Sequence, residues 1–260
     1  MSIKVPPPEE FAKALLRRLG VNRPSDMADF ARAIGLRIVE VESNGFDGAL
    51  FRLPYKPCGI IGVRSSIREL GRKRFTIAHE IGHYILPSHG TGKSVCKDEQ
   101  IQSLNGSSWS QEAAANRFAS ELLLPAEQII PIIKANSVDI KTAREISNTF
   151  QTSLQAAARK CVELTAESCA FVVSVDGIIH HWMASKSWRY QMPVKCALGD
   201  GTLARHLTER KGGRHQRKEI NALAWVTSRH VDPCGGDLIE DSILLPNYNT
   251  VLSILTAVSP

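Results

Sequence analysis

Two histidines separated by three residues are the feature of this sequence with the clearest chemistry. His79 and His83 lie in an apolar segment, Phe75 to Ile85. On an α-helix this spacing brings both imidazoles to one face, one turn apart, where they can bind a single Zn²⁺ ion. Glu80 falls beside that face. Its carboxylate can take a proton from a water molecule and later deliver it to a leaving amine, which is the chemistry of a metalloprotease.

The surroundings of this short pattern decide whether it is more than a coincidence, because His-Glu-x-x-His also arises by chance in helices. The neighbouring residues are apolar, as a buried helix that holds metal ligands rigidly requires. Gly82 lies within the motif, although a glycine inside a helix costs about 1 kcal/mol relative to alanine. We therefore expect a packing or functional reason for this glycine, such as room beside the metal. These features favour a catalytic zinc site.

A catalytic zinc ion takes three protein ligands and leaves one position open for water. The best candidate for the third ligand is Glu112, at the start of an alanine-rich helix that Ser110 can cap. Asn116 lies one turn later on the same face and can accept the free ring N–H of a ligand histidine. The alternative is that Glu112 is a first-turn glutamate favoured by the helix dipole. We expect one zinc ion per chain, bound by His79, His83 and Glu112.

Three further residues are candidates to stabilise the oxyanion that forms when a peptide carbonyl is attacked. Tyr84 follows the second histidine, His89 lies just after the helix, and Arg117 follows Asn116. Each side chain can donate a hydrogen bond to an oxyanion. A histidine in a polar loop is more often simply solvated. Residues 87–109, which are rich in turn-forming residues, separate the two ligand helices and are a candidate lid.

Two sequence blocks, in a fixed order, carry a family resemblance. The first runs from Arg74 to His83, and the second contains Glu112, Ala115, Asn116, Phe118 and Ala119, followed by Leu122-Leu123-Leu124-Pro125. Together they resemble the ImmA/IrrE family of zinc metallopeptidases over residues from about 10 to 165. The remainder bears a weaker resemblance to the longer, IrrE-type members, which carry an extra C-terminal domain similar to GAF sensor domains. Pro87-Ser88-His89 departs from the family, since many members continue the zinc helix for another turn.

The resemblance implies a substrate and a biological role. Members of this family cleave repressors that have helix-turn-helix DNA-binding domains, and the cleavage releases stress, prophage or mobile-element genes. The resemblance therefore implies a zinc endopeptidase with a DNA-binding repressor as its protein substrate, acting in stress response and transcription regulation.

A different class of function is the alternative. The protein would then be a zinc-containing regulator that binds DNA or another protein and has no proteolytic activity, with zinc in a structural role. Glu80 discriminates between the two hypotheses, because a structural zinc site needs no base beside its ligands.

Composition sets broad limits on the class of protein. The 260 residues are 43% hydrophobic and 22% charged, and the net charge of +6 is too small to indicate nucleic-acid binding. No apolar run approaches the roughly 20 residues of a membrane span, and no signal-peptide core is present, so we expect a cytoplasmic protein without a membrane partner. The six cysteines form no Cys-x-x-Cys pair and are interpreted as reduced thiols.

The elements around the zinc motif predict an α+β fold, with a metallopeptidase domain over residues 1–136. Two short amphipathic helices come first. Three predicted strands form a small antiparallel sheet: Leu36–Val41, Gly48–Leu53 and Cys58–Val63. The zinc helix is predicted to run from about Ser66 to Leu86. An exposed edge of this sheet can hold an extended substrate by strand addition.

Residues 137–165 predict a helix-turn-helix-like pair. The helices are predicted over Asp139–Phe150 and Ser153–Leu164, and IrrE-type members have such a module at this place. The second helix contains Arg159 and Lys160 but little else that reads DNA. Packing is therefore the better explanation of this pair, and direct DNA contact stays open.

Residues 166–260 predict a C-terminal antiparallel α+β domain that senses a signal or recognises the substrate. A hairpin is predicted over Ala170–Met183 with Asp176-Gly177 as its turn. Three later apolar segments can extend its sheet: Ala222–Val226, Ile239–Leu245 and Thr250–Ala257. The basic segment Arg210–Lys218 is predicted to be a loop. The weaker resemblance to IrrE-type members implies a GAF-like fold here.

Overall fold

A computed structural model describes residues 5–52, 57–87, 93–96, 111–209, 214–226, 236–245 and 248–258. The chain divides into two units. The first unit comprises Met1–Ala126 and Phe150–Ser153, and the second comprises Glu127–Thr149 and Leu154–Pro260. The predicted α+β class is confirmed. The predicted functional boundaries after residues 136 and 165 stay predictions.

Four helices of the first unit are described: α1 (Pro8–Leu19), α2 (Met27–Ala33), α3 (Leu70–Ile85) and α4 (Gln111–Leu123). The zinc helix α3 begins four residues later than the predicted Ser66. The amide of Ser65 donates to the Val41 carbonyl at 2.9 Å and thereby continues strand pairing, and the Ile67 amide closes a turn onto Arg64 at 3.2 Å. The backbone groups before Leu70 are therefore used by the sheet and a turn.

The sheet of the first unit has the order β1-β3-β2-β4. Its strands are β1 (Leu36–Val41), β2 (Gly48–Arg52), β3 (Gly59–Arg64) and β4 (Lys93–Cys96). β2 is antiparallel to β3 and β4, whereas β1 and β3 are parallel. The sheet is therefore mixed, not purely antiparallel as predicted. Helix α3 packs on β2 and β3, so the sheet supports the zinc helix from one side.

A buried carboxylate ties the start of β2 to its neighbours. Asp47 is fully buried, and its oxygens lie 2.5 Å from Arg64 Nη2 and 2.6 Å from Arg72 Nη2. A buried charge is tolerated only when it is paired, and here two guanidinium groups neutralise it. We call these three residues the Asp47 cluster. It joins β2, the end of β3 and the first turn of α3.

The second unit contains a five-stranded antiparallel sheet of order β6-β5-β9-β8-β7. Its strands are β5 (Cys169–Val175), β6 (Ile178–Ala184), β7 (His215–Asn221), β8 (Asp237–Leu245) and β9 (Thr250–Ala257). The predicted hairpin is present: Asp176 and Gly177 have φ values of 50° and 77°, as the tight turn requires. The remaining helices of the described chain are α5 (Ala126–Ala135), α6 (Ile140–Phe150), α7 (Leu154–Leu164) and α8 (Leu203–Thr208).

Two predictions for the second unit are wrong. Ala222–Ala224 forms a 3-10 helix, because the Asn221 side chain accepts a hydrogen bond from the Leu223 amide at 2.9 Å and turns the chain. His215–Asn221 is the edge strand β7, although a loop was expected over Arg210–Lys218. The residues of β7 are largely exposed, so they lack the apolar alternation that marks a strand in a sequence. Residues 210–213 lie outside the described residues.

The basic residues of α7, the second helix of the pair, are not fully open to solvent. Lys160 of α7 is 2% exposed and lies 3.5 Å from Glu163. Burial also lowers the pKa of Arg159. Phosphate contacts need solvent-exposed cations, so this burial supports packing as the role of α7. Within the described residues, no helix has the length and apolarity needed to cross a membrane.

Glu240 of β8 is a buried carboxylate that fixes α8 to the sheet. One oxygen accepts hydrogen bonds from the Leu203 amide at 2.9 Å and from Trp225 Nε1 at 2.8 Å. The other accepts from the Ala204 amide and from Ser242 Oγ, both at 2.7 Å. Burial raises the pKa of Glu240, and the hydrogen bonds oppose that rise.

We expect the Glu240→Gln substitution to destabilise the second unit. Whichever oxygen it replaces, the amide NH₂ group would face at least one backbone N–H donor, which leaves a buried donor without an acceptor and costs about 2 kcal/mol of unfolding free energy. Chemical denaturation followed by tryptophan fluorescence measures this change. Glu219→Gln on the exposed part of β7 is the matched control and should change stability little. Equal stability of the two variants would contradict this role of Glu240.

Candidate metal centre

Helices α3 and α4 approach each other closely at Gly82. A Cβ atom at this position would lie 3.2 Å from the Ala115 Cα and carbonyl oxygen, and 3.2 Å from Phe118 Cδ1. Such distances are tighter than ordinary van der Waals contact, so the absence of a side chain lets the two backbones come together. The reason for this glycine is thus helix packing. It brings the N-terminal turn of α4 beside the histidines of α3.

Three predicted ligands converge where the two helices meet. The side-chain donor atoms of His79, His83 and Glu112 all lie within 4.8 Å of one another. The two Nε2 atoms are 3.0 Å apart. Glu112 Oε2 lies 3.1 Å from His79 Nε2, and Glu112 Oε1 lies 3.3 Å from His83 Nε2. Among the described residues these three form the candidate group for a metal ion.

The spacing of these donor atoms fits a tetrahedral zinc ion. Ligand atoms at about 2.0–2.2 Å from tetrahedral zinc lie about 3.3 Å from one another. The three separations in the group, 3.0, 3.1 and 3.3 Å, are close to that value. Two imidazoles and one carboxylate are also a donor set that zinc enzymes use, with a fourth position left for water.

Asn116 forms a hydrogen bond with the first histidine of the motif. Its Oδ1 lies 2.8 Å from His79 Nδ1, and the asparagine is fully buried. An amide oxygen only accepts hydrogen bonds, so Nδ1 carries the proton and Nε2 keeps its lone pair. That lone pair points to the group that contains Glu112. The hydrogen bond therefore selects the tautomer that can bind a metal ion.

Glu112 gives the group a negative charge. Burial by itself would raise the pKa of this carboxyl group, but the adjacent imidazoles of His79 and His83 outweigh burial and lower the pKa. The side chain keeps 29% exposure, in contrast to the buried histidines. The group is therefore open to solvent on the side of Glu112.

Glu80 is fully buried and does not belong to the group of three ligands among the described residues. Its carboxylate lies on the side of α3 that faces β2, where a Cβ atom at Gly48 would come within 2.7 Å of Oε1. The ligands, in contrast, lie on the side that faces α4. The role of Glu80 as a base stays a prediction.

The three candidate oxyanion donors have different surroundings. Tyr84 is partly buried against the core of the first unit. Arg117 forms a bidentate ion pair with Glu9, with distances of 2.7 and 2.8 Å, which directs its guanidinium group to α1. His89 lies outside the described residues. The structure therefore does not bring Arg117 into the group of ligands.

Arg52, at the end of β2, is a contact of the zinc helix that the sequence reasoning missed. Its guanidinium group donates to the backbone carbonyl of His83 and lies 5.3 Å from the centroid of the Tyr84 ring. Both contacts join the last turn of α3 to β2. No local motif links an arginine at position 52 with a helix 31 residues later, so only the pairing of β2 reveals this role.

Comparisons with known proteins agree with this arrangement. One solved structure, described as a Mycobacterium tuberculosis transcriptional regulator, has the same overall fold, with a TM-score of 0.62 and 13% sequence identity over 96% of this chain and 75% of that chain. None of the curated proteins matches the sequence. The family described as the IrrE N-terminal-like domain, Peptidase_M78, matches residues 31–162, which include both helices of the ligand group. The chain therefore belongs to the Peptidase_M78 family, as its two sequence blocks predicted.

Proposed function

We propose that this protein is a zinc-dependent endopeptidase that cleaves a helix-turn-helix transcriptional repressor. The observation that carries the proposal is the convergence of His79 and His83 of α3 with Glu112 of α4, at zinc-like separations, together with the buried Glu80 of α3. Membership of the Peptidase_M78 family supports metallopeptidase chemistry. The similarity of the fold to a transcriptional regulator is compatible with a role in gene control.

The side chains of the site have separate tasks in this reaction. His79 and His83 present imidazole nitrogens, and Glu112 adds a negative charge that favours a cation. A bound zinc ion would polarise the scissile carbonyl group and lower the pKa of a water molecule. Glu80 accepts the proton of the attacking water on its carboxylate and delivers it to the nitrogen of the leaving amine. Asn116 keeps His79 in the tautomer that this arrangement needs.

The biological role follows from the substrate class. Cleavage of a DNA-binding repressor would induce the genes that it silences, as in stress response or in mobile elements, and we propose that the reaction takes place in the cytoplasm. The second candidate is a zinc-containing regulator without proteolytic activity that binds DNA or another protein. The name of the structural neighbour favours that candidate, whereas the buried Glu80 beside the ligands favours the peptidase.

The purified protein is expected to bind about one zinc ion per chain. His79→Ala or His83→Ala should remove the metal, because each substitution deletes one of three protein ligands. Inductively coupled plasma mass spectrometry after exhaustive dialysis measures the metal content. His180→Ala is the control, since this exposed histidine of β6 lies outside the group. Retention of stoichiometric zinc by the double variant of His79 and His83 would refute the ligand assignment.

Glu80→Gln is expected to keep the metal and lose peptide cleavage. The amide cannot accept the proton of water, and loss of a general base lowers kcat by about 100-fold or more. The assay follows cleavage of a purified helix-turn-helix repressor, and any repressor gene adjacent to this one supplies the first substrate to test. Glu145→Gln, at an exposed position of α6, should cleave at the wild-type rate. Undiminished turnover in Glu80→Gln would assign the chemistry to another residue.

Residues 166–260 are, in this proposal, the domain that senses a signal or selects the substrate. A chain that ends at Thr165 retains all four site residues and is expected to bind zinc, yet to lose regulated cleavage. It also loses Asp241, whose carboxylate accepts the Ile140 amide at 2.8 Å, so zinc content serves as the test of folding. If the shortened chain binds zinc and cleaves under the same inducing conditions as the full chain, the domain neither senses nor selects.

A further inference from the structure

The start of β2 lies unusually close to the zinc helix. A Cβ atom at Gly48 would lie 2.6 Å from Thr76 Cγ2, 2.7 Å from Glu80 Oε1 and 3.2 Å from Glu80 Cγ. Cβ atoms in proteins do not come within 3.0 Å of such neighbours, so no other residue fits here without displacing these side chains. The backbone of β2 thus forms a wall directly against the Glu80 side chain.

This wall is held in place by the Asp47 cluster. Asp47 immediately precedes Gly48, and its carboxylate pairs with Arg72 of α3, one helical turn before Thr76. The Asp47 carbonyl also accepts the amide of Arg64 at 2.9 Å, which fixes the strand to β3. The Asp47 cluster therefore fixes β2 to α3 at the residue next to the contact with Glu80.

Thr76 forms the second side of the enclosure. It lies one turn before Glu80 on α3 and is fully buried. Its hydroxyl group has no hydrogen-bond partner among the described residues. Thr76 therefore contributes by filling space. Its side chain lies against Gly48, one helical turn before Glu80.

We propose that Gly48 and Thr76 are positioning residues that hold the Glu80 carboxylate in the orientation needed to receive a proton. The inference rests on the proposed function of Glu80 as the base. A glutamate has three side-chain torsions, and its freedom is lost only where neighbours enclose it. Catalytic groups must be held within about 0.5 Å of the productive geometry. The β2 backbone at Gly48 and the side chain of Thr76 restrict Glu80 in this way without touching a substrate.

Gly62 provides a matched control within the same sheet. It lies in β3, and a Cβ atom there would contact Val41 side-chain atoms at 3.6 and 3.8 Å, which is ordinary van der Waals contact. Gly48→Ala and Gly62→Ala therefore introduce the same methyl group into neighbouring strands. Only the first of them pushes against Glu80.

The test uses the full chain loaded with zinc or cobalt and acetohydroxamic acid as the probe. A hydroxamic acid binds a zinc ion through its oxygens and gives its proton to a nearby carboxylate, so its affinity reports where the Glu80 carboxylate lies, independently of any peptide substrate. Isothermal titration calorimetry measures the affinity. The d–d absorption spectrum of the cobalt-loaded protein reports whether the ligands have moved.

Gly48→Ala is expected to keep stoichiometric metal and the wild-type cobalt spectrum, while its affinity for acetohydroxamic acid falls about tenfold, as for a weakened charge-assisted hydrogen bond. Gly62→Ala should match the wild type. If Gly48→Ala does not fold, the double variant Gly48→Ala/Thr76→Ser replaces it. Serine lacks the Thr76 methyl group that the new Cβ atom would meet at 2.6 Å, and the new Cβ atom still contacts Glu80. The same fall in affinity is expected.

The outcomes separate this inference from the proposed function. If the variant at position 48 binds acetohydroxamic acid as tightly as the wild type, while Glu80→Gln binds it weakly, only the positioning role is overturned. An altered cobalt spectrum also overturns it, because Gly48 would then shape the metal ligands. Wild-type protein that binds no metal, or equal affinity of wild type and Glu80→Gln, overturns the proposed function itself and the inference with it.

Discussion

The close approach of α3 and α4 is the constraint on which the site of the first unit depends. The two histidines are local to one helix, but Glu112 and Asn116 come from a helix that begins 26 residues after α3 ends. They reach the histidines only because Gly82 has no side chain and Ala115 has a small one. A larger residue at either place would separate the helices, and the ligand distances near 3 Å would be lost. The loss of helix propensity at Gly82 is offset by this packing.

The zinc helix is supported differently on its two sides. On the side of α4, hydrogen bonds and charge predominate, since His79, Glu112 and Asn116 interact through polar atoms. On the side of β2, close contact and buried ion pairs predominate, because Gly48 lies against Glu80 and Asp47 binds Arg72. The proposed ligands and Glu80 thus have independent supports. This separation keeps Glu80 out of the candidate metal-binding group, although it lies next to His79 along the chain.

The parts of the site that the sequence predicts are those with a local or periodic signal. The spacing of His79 and His83 follows from the helical repeat, and Asn116 follows from the same repeat after Glu112. Arg52 and Gly48 carry no such signal, since their roles arise from the pairing of β2 and its packing on α3, which are set by tertiary structure. The same reason explains the parallel pairing of β1 with β3: each strand was recognisable by itself, but only the tertiary structure places β3 between β1 and β2 and so makes it parallel to one and antiparallel to the other.

The second unit is organised by two adjacent carboxylates of β8 that face opposite sides of its sheet. Glu240 accepts the first amides of α8, and Asp241 accepts the Ile140 amide of α6 and lies 2.5 Å from His215 Nε2. Each carboxylate therefore supplies the acceptor that the start of a helix lacks. A buried donor left without its acceptor costs about 1–3 kcal/mol, so these contacts hold both helix starts to the centre of the sheet. The edge strands β6 and β7 carry no such carboxylate anchor among the contacts above, and their residues are more exposed than those of the central strands β5 and β9.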